Sequence, residues 1–125
     1  MLPGLATPIS HYCDAVRWGD LLFISGMAPI DARGRVVSEQ VVAQARQVLR
    51  NLEIALRASE ATFADVLKVT VYLTDINDRR KINPVRKEFF GKSRPASTLI
   101  GIRELAIPGM KIEIEAVVGL HKQPG

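Results

Sequence analysis

The chain has 125 residues, 47% apolar and 24% charged, a composition typical of one soluble globular domain rather than of a disordered protein. The net charge of +4 permits an anionic partner without requiring one. The single cysteine, Cys13, excludes an internal disulfide framework and a cysteine-based zinc site within one chain. Since there is no membrane-spanning apolar run and no secretory signal pattern, a cytoplasmic protein is expected.

The first half of the chain predicts an irregular arm, a hairpin and a helix. Residues 1–11 contain two prolines and a glycine and are expected to form the arm. The apolar run 21–25 favours a buried strand, with 15–18 as its partner across a turn at Gly19-Asp20. Apolar residues at helical spacing then predict a helix over 38–58, with Ser38 as its N-cap.

The second half predicts three more strands and one more helix. Residues 66–73 alternate and are rich in valine, which favours a strand. A helix is expected from Asn77 or Asp78 to Phe90, with a break, a kink or a later start at Pro84. Residues 97–102 and 111–117 predict the last two strands. The resulting order β-β-α-β-α-β-β predicts a single α+β domain over 1–125, with one mixed sheet and both helices on one face.

Generic catalytic and metal-binding motifs are missing from the sequence. It has no glycine-rich phosphate loop, no nucleophile elbow and no paired histidines at helical spacing. His11 and His121 near the two ends are expected to be surface residues rather than metal ligands, and Cys13 a small buried apolar residue rather than a nucleophile. An arginine stripe on the first helix favours a solvated face over a nucleic-acid patch: Arg46, Arg50 and Arg57.

Two places in the C-terminal third are candidates for a binding pocket. Glu113 and Glu115 share one face of the predicted last strand, so they are either two solvent-facing charges or include one general acid or base. Pro95 biases Arg94 towards an extended backbone and gives a sharp start to the preceding strand. The residues alone therefore indicate a pocket near Ser97 and Glu113.

The same two segments resemble a known family. Arg94–Thr98, then Pro108 and Lys111–Ala116, are similar to the C-terminal signature of the Rid family, the reactive-intermediate deaminases, also described as YjgF-type or L-PSP endoribonuclease-like proteins. Ala43–Leu52 resembles the first helix of that family and Val69–Leu73 its middle strand. The resemblance extends over about residues 7–118.

This resemblance implies a chorismate-mutase-like α+β fold, a homotrimer and pockets in the clefts between subunits. Family enzymes hydrolyse enamines and imines to carbonyl products and ammonia without a metal or an organic cofactor. By position, Glu113 would be the catalytic residue that holds or activates water. The implied substrate-binding residues are Tyr12, Ser25, Gly26, Asn83, Phe89, Ser97 and Leu99.

Ser97 departs from the pattern that the resemblance implies. The deaminases of the family carry at this position an arginine that grips the substrate carboxylate, and serine offers no charged fork. An atypical substrate is therefore expected, and a Ser97→Arg variant is expected to bind small carboxylates better. An arginine supplied by another subunit is the alternative.

Three functions follow from these observations. The first is a 2-iminobutanoate/2-iminopropanoate deaminase-like hydrolase whose small-molecule ligand is a keto or imino acid. The second is a metabolite-binding trimer without catalysis. The third is RNA binding or cleavage, the least favoured because no aromatic residues interleave with the arginine stripe. Neither a membrane nor a nucleic acid is the expected partner.

Overall fold

The computed structural model describes residues 2–121, so Met1 and residues 122–125 of the predicted domain lie outside the described residues. Residues 2–14 form no helix or strand. The regular elements follow in chain order: β1 Ala15–Trp18, β2 Leu21–Met27, α1 Val41–Ala58, β3 Val66–Leu73, α2 Arg79–Phe90, β4 Ala96–Gly101 and β5 Ile112–Gly119. Short 3-10 turns at Phe63–Asp65 and Ile76–Asp78 lead into β3 and α2. The predicted order of elements is confirmed.

The five strands form one mixed sheet in the order β1-β2-β5-β3-β4. β3 and β4 are parallel and joined by α2, whereas the other neighbours pair antiparallel. The last strand in sequence thus lies at the centre of the sheet, between β2 and β3, which places Glu113 and Glu115 among three strands rather than at an edge.

Both helices cover one face of this sheet, as predicted. α1 packs on β2 and β5, and α2 packs beside α1. The apolar residues at helical spacing in α1 are all buried: Val41, Ala45, Val48, Leu49, Leu52, Ala55 and Leu56. Alternate residues of the strands complete the core, among them Leu22, Val71 and Ile114. The intervening strand residues lie on the opposite face, which no element within residues 2–121 covers. We call it the open face.

The predicted N-cap of the first helix is wrong, and of the outcomes predicted for Pro84 the break and the later start are wrong. Ser38 does not cap α1, because the helix begins only at Val41 and the Ser38 hydroxyl accepts the N–H of Gln40, ahead of the first turn. Pro84 does not end α2, which continues from Arg79 to Phe90. The proline lacks one helical N–H, and the burial of Ile82 and Val85 on either side of it holds the helix against the core. Within residues 2–121 no helix is long and apolar enough to cross a membrane.

Candidate active site

Glu113 lies on the open face near the start of β5. Its neighbours Ile112 and Ile114 point into the core, so the alternation of the strand turns the Glu113 carboxyl to the other side. The side chain is partly buried. Burial, and secondly the negative charge of Glu115, raise the pKa of Glu113 above its ordinary value. A carboxyl in this setting is a stronger base than an exposed one, which suits it to proton transfer.

A β-bulge brings Gly26 against this carboxyl. Ile24 pairs with Ala116 and Met27 with Ile114, so two residues of β2, Ser25 and Gly26, stand opposite one residue of β5. A Cβ on Gly26 would lie only 2.6 Å from the Glu113 carboxyl carbon. The glycine therefore leaves the space that the Glu113 carboxyl occupies beside β2.

A cleft opens beside Gly26 and Glu113, with an empty volume of about 590 Å³ that includes its open mouth. The N-terminal arm forms one wall with Tyr12, and the loop before β5 forms another. The amide of Asn51 on α1 donates to the carbonyls of Ala28 and Ile30, both at 2.9 Å, and fixes the backbone that follows β2. The cleft is thus walled by parts of the chain distant in sequence, mostly through apolar side chains: Leu5, Ile9, Met27, Ile107 and Met110.

Tyr72 is a neighbour of Glu113 that the sequence interpretation missed. It pairs directly with Glu113 across β3 and β5, and its hydroxyl donates a hydrogen bond to the carboxylate of Glu115. This hydrogen bond raises the pKa of Tyr72. Both strands were predicted, yet the register between them, which places Tyr72 here, is not readable from either strand alone.

Ser25 binds the segment that follows the N-terminal arm and does not line the cleft. Its hydroxyl donates to the carbonyl of Cys13 at 2.6 Å, and its N–H donates to the carbonyl of Asp14 at 2.9 Å. Cys13 itself is exposed, so the expectation of a buried cysteine is wrong. Tyr12, Gly26 and Glu113 are the predicted site residues that line the cleft within one chain, and we call these three the Glu113 half-site.

Ser97 lies on the other face of the sheet. It pairs with Val69, which points into the core beneath the helices, whereas Glu113 is on the open face. The Ser97 hydroxyl accepts a hydrogen bond from Nη2 of Arg86 at 3.0 Å. Arg86 belongs to α2 and follows Asn83 by one helical turn. We call Asn83, Arg86 and Ser97 the Ser97 half-site.

Sequence interpretation did not find Arg86. The cation expected to replace the family arginine was one from another subunit, whereas Arg86 belongs to the same chain as Ser97. The available signal was the i, i+3 spacing between Asn83 and Arg86, which places both on one side of a helix. Burial lowers the pKa of Arg86, because the charged form loses hydration in a partly enclosed position.

Phe89 and Leu99, two of the predicted substrate-binding residues, pack against other residues of their own chain. Phe89 is partly buried, and its ring meets that of Phe63 edge-on with centroids 5.7 Å apart. Leu99 is also partly buried and packs against the core beside Val71. Each therefore has part of its side chain engaged within its own chain.

The remaining candidates form contacts within the chain. Arg46 donates to Glu88 at 2.9 Å and Arg57 lies 3.8 Å from Glu53, so two members of the arginine stripe have acidic neighbours. His121 lies 2.5 Å from the carboxylate of Asp65. In the described part of the chain, histidine, cysteine and acidic residues form no group of three or more suited to a metal ion.

Comparison with known proteins identifies the family. The sequence profile described as endoribonuclease L-PSP matches residues 4–120. A RutC family protein from Pyrococcus horikoshii is 43% identical over 111 residues, which cover 88% of this chain and 87% of the relative. The chain belongs to the Rid, or endoribonuclease L-PSP, family. The human 2-iminobutanoate/2-iminopropanoate deaminase, another relative, is 37% identical over 116 residues, 92% of this chain and 82% of its own.

A solved structure extends the likeness to the Rid fold. Escherichia coli TdcF with bound serine superposes with a TM-score of 0.86 at 30% identity, and 94% of each chain is covered. The family prediction drawn from Arg94–Thr98 and Lys111–Ala116 is thus confirmed. In the fold these two segments lie in and around β4 and β5, the strands that flank β3.

Proposed function

We propose that this Rid-family protein hydrolyses a small imine or enamine to a carbonyl product and ammonia. The observation that carries the proposal is the carboxyl of Glu113, partly buried beside a cleft, with its pKa raised by burial and by Glu115. The 37% identity to a human protein named 2-iminobutanoate/2-iminopropanoate deaminase supports the same reaction class.

The chemistry needs one group that takes a proton and gives it back. The Glu113 carboxylate takes a proton from water as the water oxygen bonds to the imine carbon. The C=N π bond opens onto the nitrogen, and Glu113 returns the proton to that nitrogen, which gives the carbinolamine. The carbinolamine then loses its C–N bond: the hydroxyl proton passes by way of Glu113 to the nitrogen, ammonia leaves, and the C=O bond forms. The raised pKa of Glu113 favours both proton transfers.

The proposed pocket is completed between subunits of a homotrimer. One chain holds the Glu113 half-site on the open face and the Ser97 half-site on the helix-covered face, so they cannot share one substrate within a single chain. The open face also exposes apolar side chains on its β1–β2 side, which is typical of a surface that another subunit covers: Val16, Trp18, Leu21 and Phe23. Since β4 is an edge strand, a neighbour whose β4 edge meets this face would bring its Ser97 half-site to the Glu113 half-site of the first chain.

The test is ammonia release from imines generated in the cuvette. An amino acid oxidase acting on 2-aminobutanoate or alanine supplies the imines, and hydrolysis is followed against the uncatalysed rate. Glu113→Gln is expected to remove the acceleration while the fold and the assembly persist. Glu115→Gln is the matched comparison, because Glu115 lies on the same face of β5 but does not line the cleft. It is expected to keep the acceleration at a pH where Glu113 is ionised.

The outcomes separate the alternative functions. Acceleration that disappears with Glu113→Gln supports the hydrolase. A wild-type protein that binds 2-oxobutanoate and accelerates no imine in the panel would be the non-catalytic metabolite-binding trimer. Cleavage of RNA that is equal in wild type and Glu113→Gln, without imine hydrolysis, would contradict the proposal in favour of the nuclease that the family description names.

A further inference from the structure

The position and the charge of Arg86 suit it to bind an anion. Its guanidinium has five N–H donors, and one of them, on Nη2, donates to the Ser97 hydroxyl at 3.0 Å. The serine oxygen accepts this bond and restricts the orientation of the guanidinium. Arg86 also lines an open depression formed by α2 and the loop 91–95 that leads into β4.

The surroundings of Arg86 carry no balancing negative charge. The depression is open and lined by the Asn83 amide, by four cationic side chains, Arg86, Lys87, Lys92 and Arg94, and by no acidic residue. Arg46 of α1 pairs with Glu88 at 2.9 Å, whereas within residues 2–121 Arg86 has no carboxylate within ion-pair distance. A partly buried guanidinium without a counter-charge is costly, and a bound anion would offset that cost.

We propose that Arg86, oriented by Ser97, binds the carboxylate of the substrate. A planar fork suits a carboxylate because it can form two parallel charge-assisted hydrogen bonds. Lys92 and Arg94 at the rim raise the local concentration of anions, and the Asn83 amide lies one helical turn before Arg86. The identity of the substrate rests on the proposed function, whereas the evidence for an anion site is the geometry of Arg86 and its neighbours.

The same contact reverses the expectation for Ser97→Arg. A second guanidinium at position 97 would lose the acceptor that orients Arg86 and would place two positive charges within hydrogen-bonding distance of one another. Ser97→Arg is therefore expected to weaken carboxylate binding or leave it unchanged. A gain of tenfold or more in that variant would show instead that the site lacks a cation.

The experiment measures binding of 2-oxobutanoate, its uncharged analogue 2-butanone, and inorganic phosphate to the purified protein by titration calorimetry. Arg86→Gln is expected to raise the dissociation constant for 2-oxobutanoate by roughly tenfold to a hundredfold, as for loss of a charged hydrogen-bonded pair. Arg86→Lys, which keeps the charge but not the fork, should fall between. The matched control is Arg80→Gln, an exposed arginine of the same helix outside the depression, expected within about twofold of wild type.

Each of these measurements tests a separate part of the proposal. Equal weakening for 2-oxobutanoate and 2-butanone, or a loss that follows a fall in melting temperature in both Arg86 variants, overturns the proposal. Phosphate or an RNA oligonucleotide that displaces 2-oxobutanoate and binds more tightly through Arg86 would assign the site to phosphate and overturn the carboxylate assignment. Imine hydrolysis that Arg86→Gln leaves unchanged rejects this inference alone. Arg86-dependent binding without imine hydrolysis supports it and rejects the proposed function.

Discussion

Gly26 stands directly against the carboxyl of Glu113, and a Cβ at residue 26 would lie 2.6 Å from both Cδ and Oε2 of that side chain. The clash is with the end of a flexible side chain rather than with backbone, and the Gly26 backbone is not in the left-handed region. The glycine therefore determines where the carboxyl sits more than whether the strands can pair.

Gly26→Ala should accordingly leave the protein folded and lower its activity. The added methyl group pushes the Glu113 carboxyl away from its place in the cleft, and a displacement of about 1 Å can cost roughly a hundredfold in rate. Imine hydrolysis and thermal melting of the same preparation measure the two effects. Gly101→Ala is the control, because its Cβ would meet Ile76 at an ordinary 3.5 Å. Comparable activity losses in both variants would contradict the prediction.

The raised pKa of Glu113 predicts a stability difference that depends on pH. A carboxyl whose folded-state pKa lies above its unfolded value contributes stability below the unfolded pKa and loses it as pH rises through the folded pKa. Glu113→Gln removes that loss. The variant should melt above wild type near pH 8, and the difference should shrink towards zero near pH 4, where the wild-type carboxyl is protonated in both states. A melting difference independent of pH would indicate that Glu113 ionises as an exposed carboxyl does.

The activity should fall on the acid side at a pH above the ordinary range of a glutamate. Glu113 must be ionised to accept a proton, and burial keeps it protonated to higher pH. Glu115→Gln should move this acid limb to lower pH, because the charge of Glu115 is the second cause of the raised pKa. Tyr72→Phe removes the hydrogen bond from the Tyr72 hydroxyl to Glu115 but keeps the charge of Glu115. The acid limb of this variant should therefore not move to lower pH. The pH dependence of kcat for the three proteins checks this.

The apolar open face predicts an assembly that one charge can disrupt. Light scattering after size exclusion should give a mass near three times the 13.8 kDa of the chain. Phe23→Asp, in the middle of the exposed apolar residues of β1 and β2, should dissociate it and abolish activity together. Val37→Asp, an exposed apolar residue outside the sheet, should leave both unchanged. A wild-type monomer at micromolar concentration would contradict the proposed pocket between subunits.

Local sequence patterns were enough to predict the order of elements, the apolar face of α1 and the side of β5 on which Glu113 and Glu115 lie. These features depend on local periodicity, which alternates every two residues in a strand and every 3.6 in a helix. The family also followed from the sequence, because its motifs are runs of neighbouring residues at Arg94–Thr98 and Lys111–Ala116.

Contacts between residues distant in sequence could not be predicted and are seen only in the folded chain. The β2–β5 bulge that places Gly26 against Glu113, and the β3–β5 register that sets Tyr72 beside it, arise from pairing between strands far apart in sequence. The hydrogen bond between Arg86 of α2 and Ser97 of β4 joins residues eleven apart along the chain. Such contacts depend on how elements pack rather than on the preference of any one element, because local patterning leaves the register between strands and the pairing of distant side chains open.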